Sequence, residues 1–371
     1  MTPPRVFRNV LIVLPYGIGD TLFAFPLLKA LKKQAGTLRL DALVGSRTEQ
    51  IVGLSPYVDD IFVIDKDKWK TMPKWKVLGE KLGLLRRFKL AGYDLMVDFS
   101  MQPEYAFWAK FWTRTPLRAG FNYKKRNPFL NAPLDIPKEG FVERPVVDYV
   151  CEMAGKLGID LKDRKPELRI PSATQDRSLE LLKGLGWDGG TYTIVAAGGG
   201  ATWGKDAHFK QWPASHFPEF LRLMEKERDP GTIVLLGSAE EKKSEEHFVG
   251  LSRHVLNLCG RTNLLQAAAI LSKAGLFIGN DGGLAHLAAA LDVPVISFFG
   301  PADPRVYAPL SHASPVVTIS KDMDCRPCYR GFRYKDCPHN SCLTGLTPSE
   351  AWQELKKSGF LKQLDGFNLQ I

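Results

Sequence analysis

The sequence predicts an α/β protein of two domains, each built on a parallel sheet. Three observations carry that expectation. The chain has 371 residues, more than one hydrophobic core usually supports, which points to two domains of roughly 150–200 residues each. Short β-like runs alternate with helical patterns along most of the chain, as crossover units of a parallel sheet require. The first run, Asn9-Val10-Leu11-Ile12-Val13-Leu14, is apolar without alternation, the pattern of a strand covered on both faces.

After that strand comes the turn Pro15-Tyr16-Gly17-Ile18-Gly19-Asp20. Residues Thr21 to Gln34 then carry Leu22, Phe25, Leu28 and Leu31 at helical spacing, and Lys29, Lys32 and Lys33 at the far end suit the helix dipole. Further β-like runs are Leu38–Val44, Ile61–Ile64, Leu95–Phe99 and Arg118–Phe121. The second half repeats the scheme with Tyr192–Ala196, Thr232–Leu236, Leu276–Ile278, Val293–Phe298 and Val316–Ile319, and with helices such as Phe217–Lys226 and Leu264–Lys273. Between the halves, Leu161 to Asp176 is rich in proline and charge and reads as a linker, so the domains are expected at residues 1–170 and 171–371. Ligands of such domains bind at the carboxyl ends of the strands.

Composition narrows the class. Apolar residues are 44% and charged residues 24%, which excludes a mainly disordered chain. No apolar run approaches the ~20 residues of a membrane-spanning helix. The start, Met1-Thr2-Pro3-Pro4-Arg5, lacks the apolar region and cleavage site of a signal peptide, so a cytoplasmic location is expected. The net charge of +10 is unevenly placed: residues 1–170 hold 29 basic and 19 acidic side chains, and the remainder holds 21 of each. The first domain is therefore expected to meet something anionic. Within it, residues 66–89 hold nine basic and two acidic residues with Trp69, Trp75 and Phe88 interleaved. That stretch is either a solvated helix face with its aromatics in the core or a contact for an anionic membrane surface. No nucleic-acid motif accompanies the charge, which argues against a nucleic-acid partner.

Three loops carry the candidate chemistry. In Gly17-Ile18-Gly19-Asp20, two glycines admit a ligand close to the backbone and Asp20 stands where a helix begins. It is expected to be either an N-cap of that helix or a general base for a sugar hydroxyl. The dinucleotide pattern G-x-G-x-x-G fails near Phe23, which disfavours an oxidoreductase. The second loop, Gly198-Gly199-Gly200-Ala201-Thr202-Trp203-Gly204-Lys205, leads to Lys210-Gln211-Trp212-Pro213 and has the amides and lysines that a diphosphate requires. The third, Gly279-Asn280-Asp281-Gly282-Gly283-Leu284-Ala285-His286, opens a helix toward a phosphate and places His286 in its first turns.

Taken together, these loops, with Phe299-Gly300-Pro301-Ala302-Asp303-Pro304, resemble glycosyltransferase family 9, the ADP-heptose:lipopolysaccharide heptosyltransferases. The matching blocks run in family order from residue 9 to about 347. The resemblance implies a GT-B fold, two facing Rossmann-like domains with the acceptor on the first and the nucleotide sugar on the second. It also implies inverting, metal-independent transfer of a heptose from ADP-heptose to the lipopolysaccharide inner core. Asp20 is then the candidate base, and Lys210 the lysine that neutralises the departing diphosphate. Thr202, Lys205, Glu240, Asp281, Gly282, Gly283 and His286 are the candidate donor contacts, with Glu241 an alternative to Glu240 at the ribose. Gly19, Arg118, Lys124, Lys125 and Arg126 are the candidate contacts to an anionic glycolipid acceptor. The implied location is the cytoplasm, with peripheral contact at the inner face of the cytoplasmic membrane. The donor loop departs from the family by reading Asp281-Gly282-Gly283 where many members have Asp-Thr-Gly, which removes a hydroxyl contact and bears on the identity of the sugar and nucleotide. The rival readings are the same fold with another nucleotide sugar or a protein acceptor, and a non-catalytic sugar-nucleotide-binding protein.

Cys325, Cys328, Cys337 and Cys342 are spaced C-x2-C-x8-C-x4-C. Four thiols this close are compatible with a structural zinc or iron site, with disulfides, or with plain thiols in a packed loop, and His339 is a further potential ligand. Catalysis in the family requires no cofactor, so any metal would be structural.

Overall fold

The first strand, β1 (Asn9–Leu14), is buried at five of its six positions, as its unbroken apolar run requires. The computed structural model describes residues 6–34, 37–334 and 337–368, and the side chains of these except 201–205 and 368. The chain divides into two compact units, Met1–Arg169 and Ile170–Ile371.

In the first unit β1 is followed by α1 (Ile18–Gln34), β2 (Arg39–Gly45), α2 (Glu49–Val52), β3 (Asp60–Ile64), α3 (Lys66–Thr71), α4 (Lys74–Ala91) and β4 (Leu95–Asp98). Then come α5 (Pro103–Phe111), β5 (Leu117–Tyr123), β6 (Ala132–Ile136) and α6 (Val146–Lys156). The strands form one sheet in the order β3-β2-β1-β4-β5-β6, every pair parallel. The order turns outward in opposite directions from β1 and β4, which makes the crevice at their carboxyl ends the natural ligand site.

The second unit runs α7 (Ser172–Gly184), β7 (Tyr192–Ala196), a 3-10 stretch Ala201–Lys210, α8 (His216–Glu225), β8 (Thr232–Leu235) and a second 3-10 stretch Ala239–Phe248. It continues with β9 (Val255–Asn257), α9 (Leu264–Leu271), β10 (Leu276–Asn280), α10 (Gly283–Ala290), β11 (Val295–Phe298), α11 (Pro304–Tyr307) and β12 (Val316–Ile319). It ends with α12 (Ser341–Thr344), α13 (Pro348–Lys357) and α14 (Phe360–Asn368). Its sheet order, β12-β11-β10-β7-β8-β9, repeats that of the first, so the equivalent crevice lies between β7 and β10.

Each expected strand is present, and two were not expected. β6 contains Pro133 and Asp135 and pairs on one side only, so it has no continuous apolar run to announce it. β9 has three residues, also at a sheet edge. The linker reading needs correction. Residues 163–169 pack back on the first unit through Lys29–Asp163 (2.9 Å) and Lys29–Glu167 (3.1 Å) ion pairs and an Arg169 N–H bond to the Leu54 carbonyl (2.8 Å). From Ser172 the chain is already helix α7.

Helices and sheet meet over large aromatics. In the first unit Phe62 and Phe88 pack edge to face at 4.9 Å, and α4 covers the sheet only through its C-terminal half, at Leu85 and Phe88. In the second, Trp212 stacks on Phe298 at 4.0 Å and meets Phe217 and Phe220 edge-on. A fully buried indole of this kind is worth about 3–5 kcal/mol against alanine.

Candidate active site

In the first unit, helix α1 begins at Ile18, earlier than the hydrophobic spacing suggested. Asp20 is therefore not an N-cap: it lies in the first helical turn, where a carboxylate is favoured by the free amides of the helix end. It is exposed and borders a cavity of about 30 Å³ with Tyr16, Thr21, Phe99, Met101 and Phe121. Gly19 precedes it in the same turn.

The turn that carries Asp20 is tied to the end of β4. The Tyr16 hydroxyl donates to the Ser100 carbonyl, and the Ser100 N–H donates to Asp98 Oδ1 at 2.7 Å. Met101, next in the chain, adopts φ 56°, a left-handed conformation uncommon outside glycine. Asp98 is fully buried, and its Oδ2 has no hydrogen-bond partner among the described residues. Burial pushes its carboxyl up to about 7, with Ser100 and Lys66 opposing. Desolvation and the nearby Asp98 and Asp20 carboxylates push the Tyr16 phenol up to about 12, against a hydrogen bond with Gln102.

The acceptor candidates separate into two groups. Lys124, Lys125 and Arg126 follow β5 at the carboxyl edge of the sheet, the edge that carries Asp20, and all three are exposed. Lys124 and Lys125 hold the turn with φ of 56° and 55°. Arg118 does not join them. It sits near the amino end of β5, about 16 Å of extended strand from Tyr123. Its guanidinium donates to the carbonyls of Phe129 (2.8 Å), Thr115 (2.6 Å) and Pro116 (3.2 Å), so it is a structural clamp at the opposite edge.

In the second unit the two glycine-rich loops converge on the switch crevice through Asn280, a residue the sequence reading did not single out. Its Nδ2 donates to the carbonyls of Ala197 (2.8 Å) and Gly198 (3.1 Å), and its Oδ1 accepts from the Trp212 N–H (2.9 Å). The ends of β7 and β10 and the segment after Lys210 are thereby held together. Gly279 is required there, because a Cβ would stand 2.9 Å from the Ala196 carbonyl and 2.7 Å from the Phe277 ring.

Lys210, Asp281 and His286 meet in this crevice. Lys210 Nζ is 2.7 Å from Asp281 Oδ2, with side-chain exposures of 10% and 3%. His286, the fourth residue of α10, is buried beside them. Burial drives its imidazole down to about 4, against the pull of Asp281 and with the help of Lys210, so it is neutral at physiological pH. Gly282 caps α10 in an extended conformation, and a Cβ there would meet nothing nearer than the Asn280 carbonyl at 3.8 Å. The helix entry is therefore open. Thr202 and Lys205 fall in the 3-10 stretch, and their side chains lie outside the described residues.

Beside the crevice is a cavity of about 610 Å³, lined by Gly198, His208, Trp212, Glu240, Glu241 and His247 among others. The two glutamates differ in what they do. Glu241 closes a capping box with Ser238, its Oε2 accepting the Ser238 N–H at 2.7 Å, and its carboxylate is wedged where a Cβ on Gly198 or Gly237 would be. Glu240 is exposed, and hydrogen bonds from its own backbone and Ser238 lower its carboxyl.

Cys325, Cys328, Cys337 and Cys342 are free thiols, and among the described residues no group of three or more His, Cys, Asp or Glu is placed to hold an ion. Cys342 is packed in the core, where burial pushes its thiol up to about 11, Cys325 is exposed, and Cys325, Cys328 and Cys337 lie close enough to raise the Cys342 thiol further. His339 and Cys337 border the large cavity.

Residues 82–336 match the model of glycosyltransferase family 9 (heptosyltransferase). The chain belongs to glycosyltransferase family 9. It is 25% identical over 363 residues to lipooligosaccharide heptosyltransferase 2 of Haemophilus influenzae, covering 94% of this chain and 99% of that protein. It is 25% identical over 324 residues to lipopolysaccharide heptosyltransferase 1 of Pseudomonas aeruginosa, covering 87% and 86%. The fold matches Escherichia coli ADP-heptose lps heptosyltransferase II with a TM-score of 0.72 at 21% identity, over 97% of this chain and 99% of that one. This family 9 glycosyltransferase thus has the GT-B fold, and the sequence expectations of family, fold and transferase activity hold.

Proposed function

We propose that this glycosyltransferase moves a heptose from ADP-heptose to the inner core of lipopolysaccharide, the first unit taking the anionic glycolipid and the second the nucleotide sugar. The observation that carries the reading is the Lys210–Asp281 pair at the open N-terminus of α10, beside the cavity that Glu240 borders. A diphosphate placed at that helix entry meets free amides and the Lys210 ammonium. Asp281 and His286 are left to bind donor hydroxyl groups, and Glu240 the ribose. Lys124, Lys125 and Arg126 answer phosphates on the acceptor, and Gly19 leaves its backbone open to it.

In the reaction Asp20 removes the proton of the acceptor hydroxyl as its oxygen attacks the anomeric carbon. The bond from that carbon to the diphosphate oxygen breaks, and its electron pair leaves with ADP, inverting the configuration. Lys210 and the α10 amides stabilise the growing charge on the leaving group; preorganised donors of this kind supply several kcal/mol. No step is assigned to a metal or other cofactor. The acceptor is a membrane lipid, which puts the enzyme at work on the cytoplasmic face of the inner membrane.

The test is product analysis with ADP-, UDP- and GDP-linked sugars and a lipid A-core acceptor lacking heptose. ADP release coupled to heptosylated product is expected. Asp20→Asn should lower the rate about 10²–10⁴-fold while leaving donor affinity unchanged. Turnover with only a UDP- or GDP-linked donor, or full activity of Asp20→Asn, overturns the reading.

A further inference from the structure

Among the described residues, exposed large apolar side chains are concentrated on two neighbouring helices. Of eleven such residues, seven are on or beside α4 and α5: Trp75, Leu78, Leu82, Leu90, Phe107, Phe111 and Trp112, exposed by 42% to 79%. The sequence pattern suggested Trp69, Trp75 and Phe88, and the structure changes that set. Phe88 is core, Trp69 is partly buried against the core with its indole N–H on Glu80, and Trp75 alone stands out. The other aromatics come from α5, outside the basic stretch.

The two helices make one surface. Lys81 of α4 pairs with Glu104 of α5 at 2.7 Å and lies over the Trp108 ring at 5.6 Å. Leu78 is one helical turn before Lys81, and Phe107 one turn after Glu104, so apolar residues flank the bridge on both helices. Trp75 and Leu82 extend the row along α4. Phe107 and Phe111 extend it along α5, their rings 5.0 Å apart.

Positive charge surrounds this apolar row. Lys74, Lys76, Arg86, Lys89 and Lys110 have no carboxylate partner among the described residues, whereas Glu80, the one acid of α4, is engaged by Lys68 and Trp69. Lys76 sits 5.3 Å from the Trp75 ring and Lys110 5.1 Å from that of Phe111. Aromatic side chains with ammonium groups beside them match the layer where lipid headgroups meet acyl chains.

We infer that the outer faces of α4 and α5 dock the first unit onto an anionic phospholipid bilayer. A second copy of the chain would bring five uncompensated cations against five more, so self-association through this face is opposed by its own charge. A bilayer carrying negative headgroups satisfies both the charge and the apolar row. The surface starts at the carboxyl edge of the sheet, because α5 follows β4 and the α3–α4 pair follows β3, and Asp20 stands at the same edge. The inference rests on the proposed glycolipid acceptor for its purpose but not for its detection.

Flotation of the full chain with phosphatidylglycerol–phosphatidylethanolamine vesicles and with pure phosphatidylcholine vesicles tests it. Binding to the anionic vesicles is expected, and weakening by about tenfold or more in Trp75→Ala/Phe111→Ala and, separately, in Lys76→Glu/Arg86→Glu. Equal binding to phosphatidylcholine, no vesicle binding, or unimpaired binding by both variants overturns the inference. So does a wild-type dimer in sedimentation that Trp75→Ala/Phe111→Ala dissociates, since the face then belongs to a second copy. Transfer to a water-soluble acceptor stripped of acyl chains should be the same in wild type and both variants, which also shows that they fold. If wild type floats with anionic vesicles yet transfers no heptose to either acceptor, the proposed reaction fails and the docking surface stands.

Discussion

Lys210 Nζ and Asp281 Oδ2 stand 2.7 Å apart in the interior of the second unit, each nearly removed from solvent. The pair holds the lysine at the head of α10. A buried pair contributes little net stability, but breaking it leaves a charge with no partner, at a cost of about 3–5 kcal/mol. Lys210→Ala should therefore lose both transfer and stability, whereas Lys210→Ala/Asp281→Asn should regain stability in urea melts and remain inactive. Equal stability of Lys210→Ala and wild type would show that Asp281 is not dependent on the lysine.

Asp98 gives stability a slope with pH. Its carboxyl is raised by burial to about 7 from the ordinary 3.8. Below about pH 4 folded and unfolded chains both hold the proton. As pH rises toward 7 the unfolded chain releases it first, so the contribution is lost across that window and is flat above it. Asp98→Asn has no such proton to lose. Its stability relative to wild type should rise from about pH 4 to about pH 8, by up to about 4 kcal/mol. Parallel urea-melt profiles for the two chains would contradict the burial of an uncompensated carboxyl.

His286 should not titrate in the neutral range. Burial holds it down to about 4 from the ordinary 6.5. The ring-proton NMR shift assigned through His286→Gln should stay constant from about pH 8 to about pH 5. The unfolded chain accepts the proton first, so this residue costs stability as pH falls below about 6.5, increasingly down to about 4. An inflection near pH 6.5 would mean that the imidazole is open to water.

Gly282 offers a gain-of-contact test. Space for a side chain exists, since a Cβ would meet only the Asn280 carbonyl at 3.8 Å, and the extended backbone suits any residue. Gly282→Thr should fold with an unchanged melting temperature and bind ADP-heptose more tightly, by about threefold to tenfold if the hydroxyl gains one hydrogen bond. Calorimetric titration reads this directly; loss of binding would place the diphosphate against the glycine itself.

Much of the arrangement was legible in the residues. Unbroken apolar runs such as Asn9–Leu14 and Leu276–Ile278 identified strands, and the loops after them held Asp20, Asp281 and His286. Runs and spacings say nothing about which strands become neighbours, and so gave no account of why these loops fall at the two switch crevices. Asn280 was hidden for the same reason: its three bonds reach residues about seventy to eighty positions away. Asp98 did leave a trace, as a carboxylate closing an otherwise apolar strand. Arg118 was misread because a basic residue in a basic domain looks alike at either end of a strand.

The aromatic chain behind Lys210 has a practical consequence for anyone reshaping this enzyme. Trp352 of α13 rests on Phe220 at 5.8 Å, Phe220 on Trp212 at 5.9 Å, and the Trp212 indole N–H is fastened to the Leu346 carbonyl at 2.7 Å. A deletion that removed α13 and α14 would touch no recognisable motif, yet it would take away the Trp352 ring that backs Phe220 and, through it, Trp212, two residues from the lysine. Inactivity of such a shortened protein would report a collapsed support and should not be read as the loss of a catalytic group in the tail.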